Sequence, residues 1–96
     1  MKDLSQVRPV EDFMKLAEAK AEQSDYVGAV QNYNQAILVD PDYARAYGNR
    51  AFVRVNLGDR QGAIADFHKA ATLFLAQGST ANYEMVMCYI REVEQN

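Results

Sequence analysis

The sequence predicts an all-α fold in which five helices stack in repeated pairs. Gly and Pro are scarce, with five and two copies in 96 residues, so little in the composition interrupts helix. Aromatic and small residues recur 34 residues apart, since Phe13 and Ala17 are followed by Tyr47 and Ala51. Repetition at this interval indicates stacked helix pairs, because each pair needs a neighbour to cover its apolar face.

The composition is that of one small globular domain. Apolar residues make up 49% of the chain, and the net charge of −3 is too small to select a charged ligand. No basic stripe stands out, so nucleic acid is not expected as a partner. The N-terminal MKDLSQVRPVEDF lacks the apolar run of a secretory signal, and no window is apolar enough to span a bilayer. We therefore expect a soluble, cytoplasmic protein without a membrane partner.

The first pair of helices is predicted over about residues 10–23 and 26–39, after a flexible lead-in at 1–9 that has no periodic apolar face. In the first helix the buried stripe is expected to be Phe13, Leu16 and Ala17, at spacings i, i+3 and i+4. In the second helix it is Ala29, Tyr33 and Ala36. Ser24-Asp25 marks the turn between them.

The second pair is predicted over about residues 43–57 and 60–76. Asp40-Pro41-Asp42 separates it from the first pair, and Gly58-Asp59 marks its internal turn. Arg50 stands where the first helix has a leucine, and we expect its stem to pack along the seam while its guanidinium stays in water. The repeated stripes are Tyr47 and Ala51, then Ala63, Phe67 and Ala70, and the expected helix caps are Asp25, Asp42 and Asp59.

The fifth helix, about residues 80–94, departs from the strict interval. A step of 34 would put Ala81 at the aromatic position, whereas two extra linker residues align Tyr83, Val86, Met87 and Ile90 as one apolar stripe. The opposite face is polar, as a helix that caps a stack requires.

These residues resemble the tetratricopeptide repeat family, whose pattern combines aromatic and small residues with an inter-helix turn such as Leu57-Gly58-Asp59. The predicted domain is residues 10–96, divided into a repeat at 10–43, a repeat at 44–77 and a capping helix at 79–95. Lys20 and Arg54 replace a tyrosine that is frequent in the family, and Leu75 replaces a closing proline.

The resemblance implies a right-handed superhelix of antiparallel helix pairs, an α-solenoid whose first helices line a concave groove. It also implies a protein-interaction scaffold with no catalytic residues. His68 and Cys88 are the sole copies of their residue types, so neither a metal site nor a disulfide is expected. No phosphate-binding Gly-rich loop occurs, and no cofactor is expected.

A groove residue should lie on a first helix but off its buried stripe. Phe52 is the foremost candidate, with packing against the closing helix as the equally weighted alternative. Asn49 is expected to bond a partner's backbone rather than a neighbouring helix end. The groove candidates on the first two such helices are Met14, Lys15, Glu18, Glu22, Arg45, Asn49, Phe52 and Asn56, joined on the closing helix by Glu84, Met85, Cys88 and Arg91.

Two alternatives stay open beside the binding of a protein or peptide. The first is a homodimer formed by closing helices around Met85, Cys88 and Tyr89, because two and a half repeats are fewer than the three that such stacks commonly need. The second is that the chain is one module of a longer repeat assembly.

Overall fold

A computed structural model describes residues 9–95, and within that range all regular structure is α-helical. Apart from Pro9, the predicted lead-in lies outside the described residues. The prediction of five helices is confirmed, with ends within one residue of those expected. The helices are α1 (Val10–Glu22), α2 (Tyr26–Val39), α3 (Ala44–Asn56), α4 (Arg60–Ala76) and α5 (Thr80–Gln95).

Each helix packs mainly on its neighbours in sequence, so the described residues form an elongated stack of 51 × 32 × 17 Å. The core is divided between two clusters. The first joins α1, α2 and one side of α3 around Met14 and Tyr33, and the second joins the other side of α3 to α4 and α5 around Phe67. Because α3 contributes Val53 to one cluster and Ala51 to the other, it holds the two halves together.

Three of the four turns share one geometry. A residue with positive φ follows each first helix and also follows α4: Ser24 at 62°, Gly58 at 79° and Gly78 at 77°. The next amide then bonds back to a carbonyl five residues earlier, which is the Schellman arrangement for ending a helix. The sharp reversals that follow place consecutive helices side by side.

Asp25 and Asp59 cap α2 and α4, as predicted. Each carboxylate accepts a hydrogen bond from the amide three residues later, at 2.9 Å from Gly28 and 2.9 Å from Gly62. A Cβ at either glycine would collide with the capping carboxylate. The repeated Asp-x-x-Gly is therefore a steric requirement of the cap.

The predicted cap at Asp42 is wrong. Tyr43 occupies the N-cap position of α3 and makes no side-chain cap bond. The carboxylate of Asp40 instead accepts the Asp42 amide at 3.1 Å, which tightens the turn around Pro41. The Asp42 carbonyl accepts from Gln77 at 2.8 Å, so this turn is also tied to the end of α4.

In α1 the buried stripe is displaced from the predicted one. Leu16 is 40% exposed, whereas Met14 is fully buried. The structure places Phe13, Met14 and Ala17 against the first core cluster. The interval of 34 accounts for this shift, because Leu16 corresponds to Arg50 and repeat 1 has no preceding helix within the described residues for Leu16 to contact.

The expectation that the Arg50 guanidinium stays in water is also wrong. Its Nε and Nη2 donate to the two carboxylate oxygens of Asp66, both at 2.8 Å, and its Nη1 donates to Asn34 at 2.7 Å. Arg54 donates to the same carboxylate at 2.7 Å. Asp66 is 5% exposed. The network bonds α3 to both α2 and α4.

In α5 the shifted register is correct. Val86 and Ile90 are buried at 3% and 2% exposure, and Tyr83 and Met87 pack half-buried on the same cluster. Arg60 fixes the far end of this helix, since its Nε donates to the Val93 carbonyl at 2.8 Å and its Nη2 to the Glu94 carbonyl. A cation at these carbonyls stabilises the negative end of the helix dipole.

Candidate partner-binding groove

Two open clefts lie side by side on the face formed by the first helices of each pair. The first cleft, of about 420 Å³, lies between α1 and α3, and the second, of about 300 Å³, lies between α3 and α5. Asn49 and Phe52 of α3 line both. We call the two clefts together the groove. Its walls are the helices that the repeat pattern predicts for it.

The clefts are equivalent in architecture. Tyr33 of α2 lines the first and Phe67 of α4 lines the second, 34 residues apart. Across α1 and α3 the same interval relates Glu18 to Phe52. Sequence reasoning assigned Tyr33 and Phe67 only to helix seams and so missed that both also line the groove. Their equal spacing in the repeat was the signal that the two positions share one environment.

The first cleft combines apolar and aromatic side chains with carboxylates and amides. Glu18 and Glu22 of α1 supply carboxylates, and Asn49 and Asn56 of α3 supply amides. No Lys or Arg is among its described lining residues. The Asn56 amide donates to the carbonyl of Phe52 at 3.1 Å, so it is partly occupied by its own helix.

Tyr33 brings a phenol to this cleft from a buried position, with 3% of the residue exposed. Burial raises the pKa of this phenol, and the charge of Glu18 raises it further. A hydrogen bond with the Asn49 side chain and the charge of Arg45 act in the opposite direction. The phenol therefore stays protonated at neutral pH.

The second cleft is predominantly apolar. Phe52 is 43% exposed, and its ring meets Phe67 edge-on at 5.0 Å and Tyr89 at 4.8 Å between centroids. Met85, at 46% exposure, and Phe74 extend the apolar lining. Phe52 packs against the closing helix, as one sequence interpretation expected, and also presents ring surface to the cleft, whereas its role in binding stays a prediction. The polar residues that line the second cleft are Arg45, Asn49 and Asn82.

Arg45 is engaged within the chain. Its Nη1 lies 3.2 Å from a carboxylate oxygen of Glu11, and its Nη2 lies 3.7 Å from one of Glu18. Its Nη1 also donates a hydrogen bond to the Tyr43 hydroxyl at 3.0 Å. The charged side chains are about half exposed, so each pair contributes little stability. Arg45 thus connects α1 to α3 at the surface.

Lys15 and Met14, two other residues predicted for the groove, differ in their exposure. Lys15 is exposed on α1 but lines neither cleft. Met14 is fully buried, so its expected place in the groove is wrong. Its thioether fills the first core cluster, where an apolar side chain gains more from burial than from exposure on a polar cleft.

On α5, the residues predicted for self-association do not share one environment. Met85 and Cys88 are exposed, whereas Tyr89 packs half-buried on Phe52 and Phe67. Cys88 accepts a hydrogen bond from Arg91 at 3.2 Å. Cys88, Arg91 and Glu84 line a separate cleft of about 440 Å³ on the side of α5 away from the second cleft.

Other kinds of site find no support within residues 9–95. No group of three or more His, Cys, Asp or Glu side chains there is arranged to hold a metal ion. None of the five helices is long and apolar enough to cross a membrane.

Comparison with known proteins agrees with this architecture. A sequence profile of the TPR repeat matches residues 17–58, from α1 to the turn after α3. Tetratricopeptide repeat protein 36 of Danio rerio is 39% identical over 83% of this chain, and its Mus musculus counterpart is 41% identical over 69%. The chain belongs to the tetratricopeptide repeat family. It spans 43% and 36% of the lengths of these two relatives.

A solved structure gives the same picture of the repeat fold. The crystal structure of PcrH in complex with the chaperone binding region of PopD superposes with a TM-score of 0.84 at 25% sequence identity. The match covers 90% of this chain and 65% of PcrH. The two folds are therefore alike over most of this chain.

Proposed function

We propose that this chain is a non-catalytic interaction module that binds an extended segment of a partner protein in the groove. The observation that supports the proposal best is the row of two clefts that share Asn49 and Phe52. An extended strand crossing three first helices would lie in both clefts and expose its backbone to the side-chain amides. PcrH, which has the same fold, is recorded in complex with a region of another protein.

The groove has the features of a binding surface. An exposed aromatic ring that is already held by two others loses little side-chain entropy when a ligand covers it. Phe52 is such a ring, because Phe67 and Tyr89 fix its orientation while 43% of the residue remains exposed. Aromatic anchors of this kind commonly dominate binding energy.

Selection of random 12-residue peptides against the full chain tests this proposal. An enriched peptide is titrated into isotope-labelled protein, and we expect amide shifts to concentrate on α1, α3 and α5. Phe52→Ala should weaken binding about tenfold or more, which corresponds to the 1–2 kcal/mol loss typical of a central aromatic contact. Leu38→Ala is the matched control, since Leu38 is 76% exposed on α2 and lines neither cleft.

Two results would contradict groove binding: amide shifts confined to the outer surfaces of α2 and α4, or an equal loss of affinity in the Phe52→Ala and Leu38→Ala variants.

Two further expectations remain predictions from the sequence. They are the domain division at 10–43, 44–77 and 79–95 and a cytoplasmic location.

We propose self-association through α5 as the second candidate, motivated by the exposure of Met85 and Cys88 on this terminal helix of the described stack. Light scattering at about 50 μM, a concentration at which a micromolar dimer is populated, tests it. A monomer mass that is the same in wild type and Met85→Ser would contradict it. Membership of a longer repeat assembly remains a prediction and is compatible with either candidate.

A further inference from the structure

The two clefts of the groove are equivalent in the repeat but differ in charge, because Glu18 and Glu22 line the first and no described carboxylate lines the second. The counterpart of Glu18, 34 residues later, is Phe52, whose ring lines both clefts. Where the first has the Tyr33 hydroxyl, the second has the Phe67 ring. Between α3 and α5, Asn49, which lines both clefts, corresponds to Met85, which lines only the second, 36 residues later. A ligand that crosses both clefts therefore meets one site with two carboxylates and one predominantly apolar site without a carboxylate among its described lining residues.

The charge of the first cleft is only partly compensated. Glu18 has one ion pair, with Arg45 at 3.7 Å, and both side chains are about half exposed, so that pair is weak. Glu22 has no ion pair with another described residue and is exposed. Both carboxylates therefore remain available to a cation, which they would attract more strongly in a cleft than on a flat surface.

The spacing of the two sites follows from the helices that separate them. The centres of adjacent clefts are about one helix diameter apart, or roughly 10 Å for packed helices. An extended strand rises about 3.3 Å per residue, so two side chains that enter neighbouring clefts are about three residues apart.

Building on the proposed function, we infer that the groove selects an extended peptide that combines a large apolar residue with a Lys or Arg about three positions away. The apolar side chain enters the second cleft against Phe52 and Met85. The cation enters the first cleft between Glu18 and Glu22, within reach of the amide oxygens of Asn49 and Asn56. An acidic peptide residue at the position that enters the first cleft is disfavoured, because the carboxylates of Glu18 and Glu22 repel it.

The experiment uses peptides enriched against the full wild-type chain and reads two properties. Their sequences should pair Leu, Met or Phe with Lys or Arg at a separation of about three residues. A synthetic peptide with this pattern should bind at least tenfold more tightly than its Lys→Glu version, because an attractive contact becomes a repulsive one. The difference should shrink when salt is raised from 50 to 500 mM, since exposed charges are then screened.

Glu22→Lys gives the decisive variant, and its exposure makes a folding defect unexpected. The variant should lose most of the preference for the Lys peptide over its Lys→Glu version, because the new cation offsets the remaining carboxylate of Glu18. Lys15→Glu is the matched control, because Lys15 is exposed on the same helix but lines neither cleft. The control should leave the order of the two peptides unchanged.

The outcomes separate this inference from the proposed function. Loss of the preference for the Lys peptide in Glu22→Lys, with Lys15→Glu unchanged, supports the inference, and a preference that Glu22→Lys leaves intact overturns it. Peptides that shift groove amides but show no preference for a cation, or prefer an acid, overturn the inference and leave groove binding intact. Absence of any enriched peptide, or shifts outside the groove, overturns both.

Discussion

Removal of the Asp66 carboxylate is the sharpest test of what holds the repeats together. This side chain is 5% exposed and accepts two hydrogen bonds from Arg50 and one from Arg54, at 2.7–2.8 Å. Breaking a buried ion pair by deleting one partner typically costs about 3–5 kcal/mol, because the remaining charge stays buried without compensation.

The two arginines moderate that cost. The Arg50 side chain is 15% exposed and that of Arg54 is 26% exposed, so both guanidinium groups recover some hydration after the change. We therefore expect Asp66→Ala to cost about 3 kcal/mol and Asp66→Asn about 2 kcal/mol, since an amide oxygen still accepts one bond. A domain of this size has about 5–14 kcal/mol of stability in total, so either loss is large.

Urea unfolding followed by circular dichroism at 222 nm gives the free energy of unfolding of each variant. Glu11→Gln is the matched control: Glu11 also pairs with an arginine across two helices, at 3.2 Å, but the side chains are 51% and 47% exposed. It should cost less than about 1 kcal/mol. Equal costs for Asp66→Asn and Glu11→Gln would refute the reasoning.

A double-mutant cycle then isolates the coupling. Arg50→Leu restores the residue type that Leu16 gives the first repeat, and combined with Asp66→Leu it replaces the pair with apolar groups. The double variant should be more stable than the sum of the single changes predicts, by about 1–3 kcal/mol. Strict additivity would mean that the bonds contribute no coupling.

Three further predictions concern the turns, the buried phenol and the last helix. Ser24→Gly should stabilise the fold by about 0.5 kcal/mol and Gly58→Ser destabilise it by about 1 kcal/mol in urea unfolding, since both positions have positive φ, and equal signs would contradict this. Because its folded pKa is raised above 10.0, Tyr33 stabilises the fold fully below that pH and loses this contribution as pH rises through the folded value. Tyr33→Phe should remove this alkaline loss of stability, and identical pH profiles would contradict it. Arg60→Ala should speed hydrogen exchange in the last turn of α5, whose Val93 and Glu94 carbonyls lose their donor, whereas unchanged exchange would show that the bonds are dispensable.

The helices and their turns could be predicted from the sequence because their causes are local. Capping at Asp25 and Asp59 depends on the next three residues, and helix termination at Gly58 depends on one backbone angle. The interval of 34 then identified which faces would be buried. Local patterns also fixed the shifted register of α5, where Val86 and Ile90 are buried as expected.

What could not be predicted depends on contacts between distant residues. An arginine can keep its charge in water or bond a buried carboxylate, and the outcome for Arg50 depends on Asp66, 16 residues away on another helix. Met14 and Leu16 are similar in hydrophobicity, and which one is buried depends on the face of α1 that α2 and α3 cover. The position of Tyr33, which is buried in a seam and also lines a cleft, is likewise a property of the assembled stack.

Repetition and binding make different demands on these positions. The small residues in the seams recur because two helix backbones must approach closely, and Ala17, Ala29 and their counterparts at 51 and 63 are all fully buried. Side chains that face the clefts are less constrained, so Glu18 and Phe52 differ at equivalent positions of one architecture, although Phe52 also packs on Phe67 and Tyr89. Because the backbone repeats while these side chains do not, the difference between the two clefts is where a preference for one partner sequence can reside. Exchanging Glu18 and Phe52 should therefore change the order of residues in selected peptides while leaving the helical content unchanged, and a loss of helix would show that the groove side chains also support the fold.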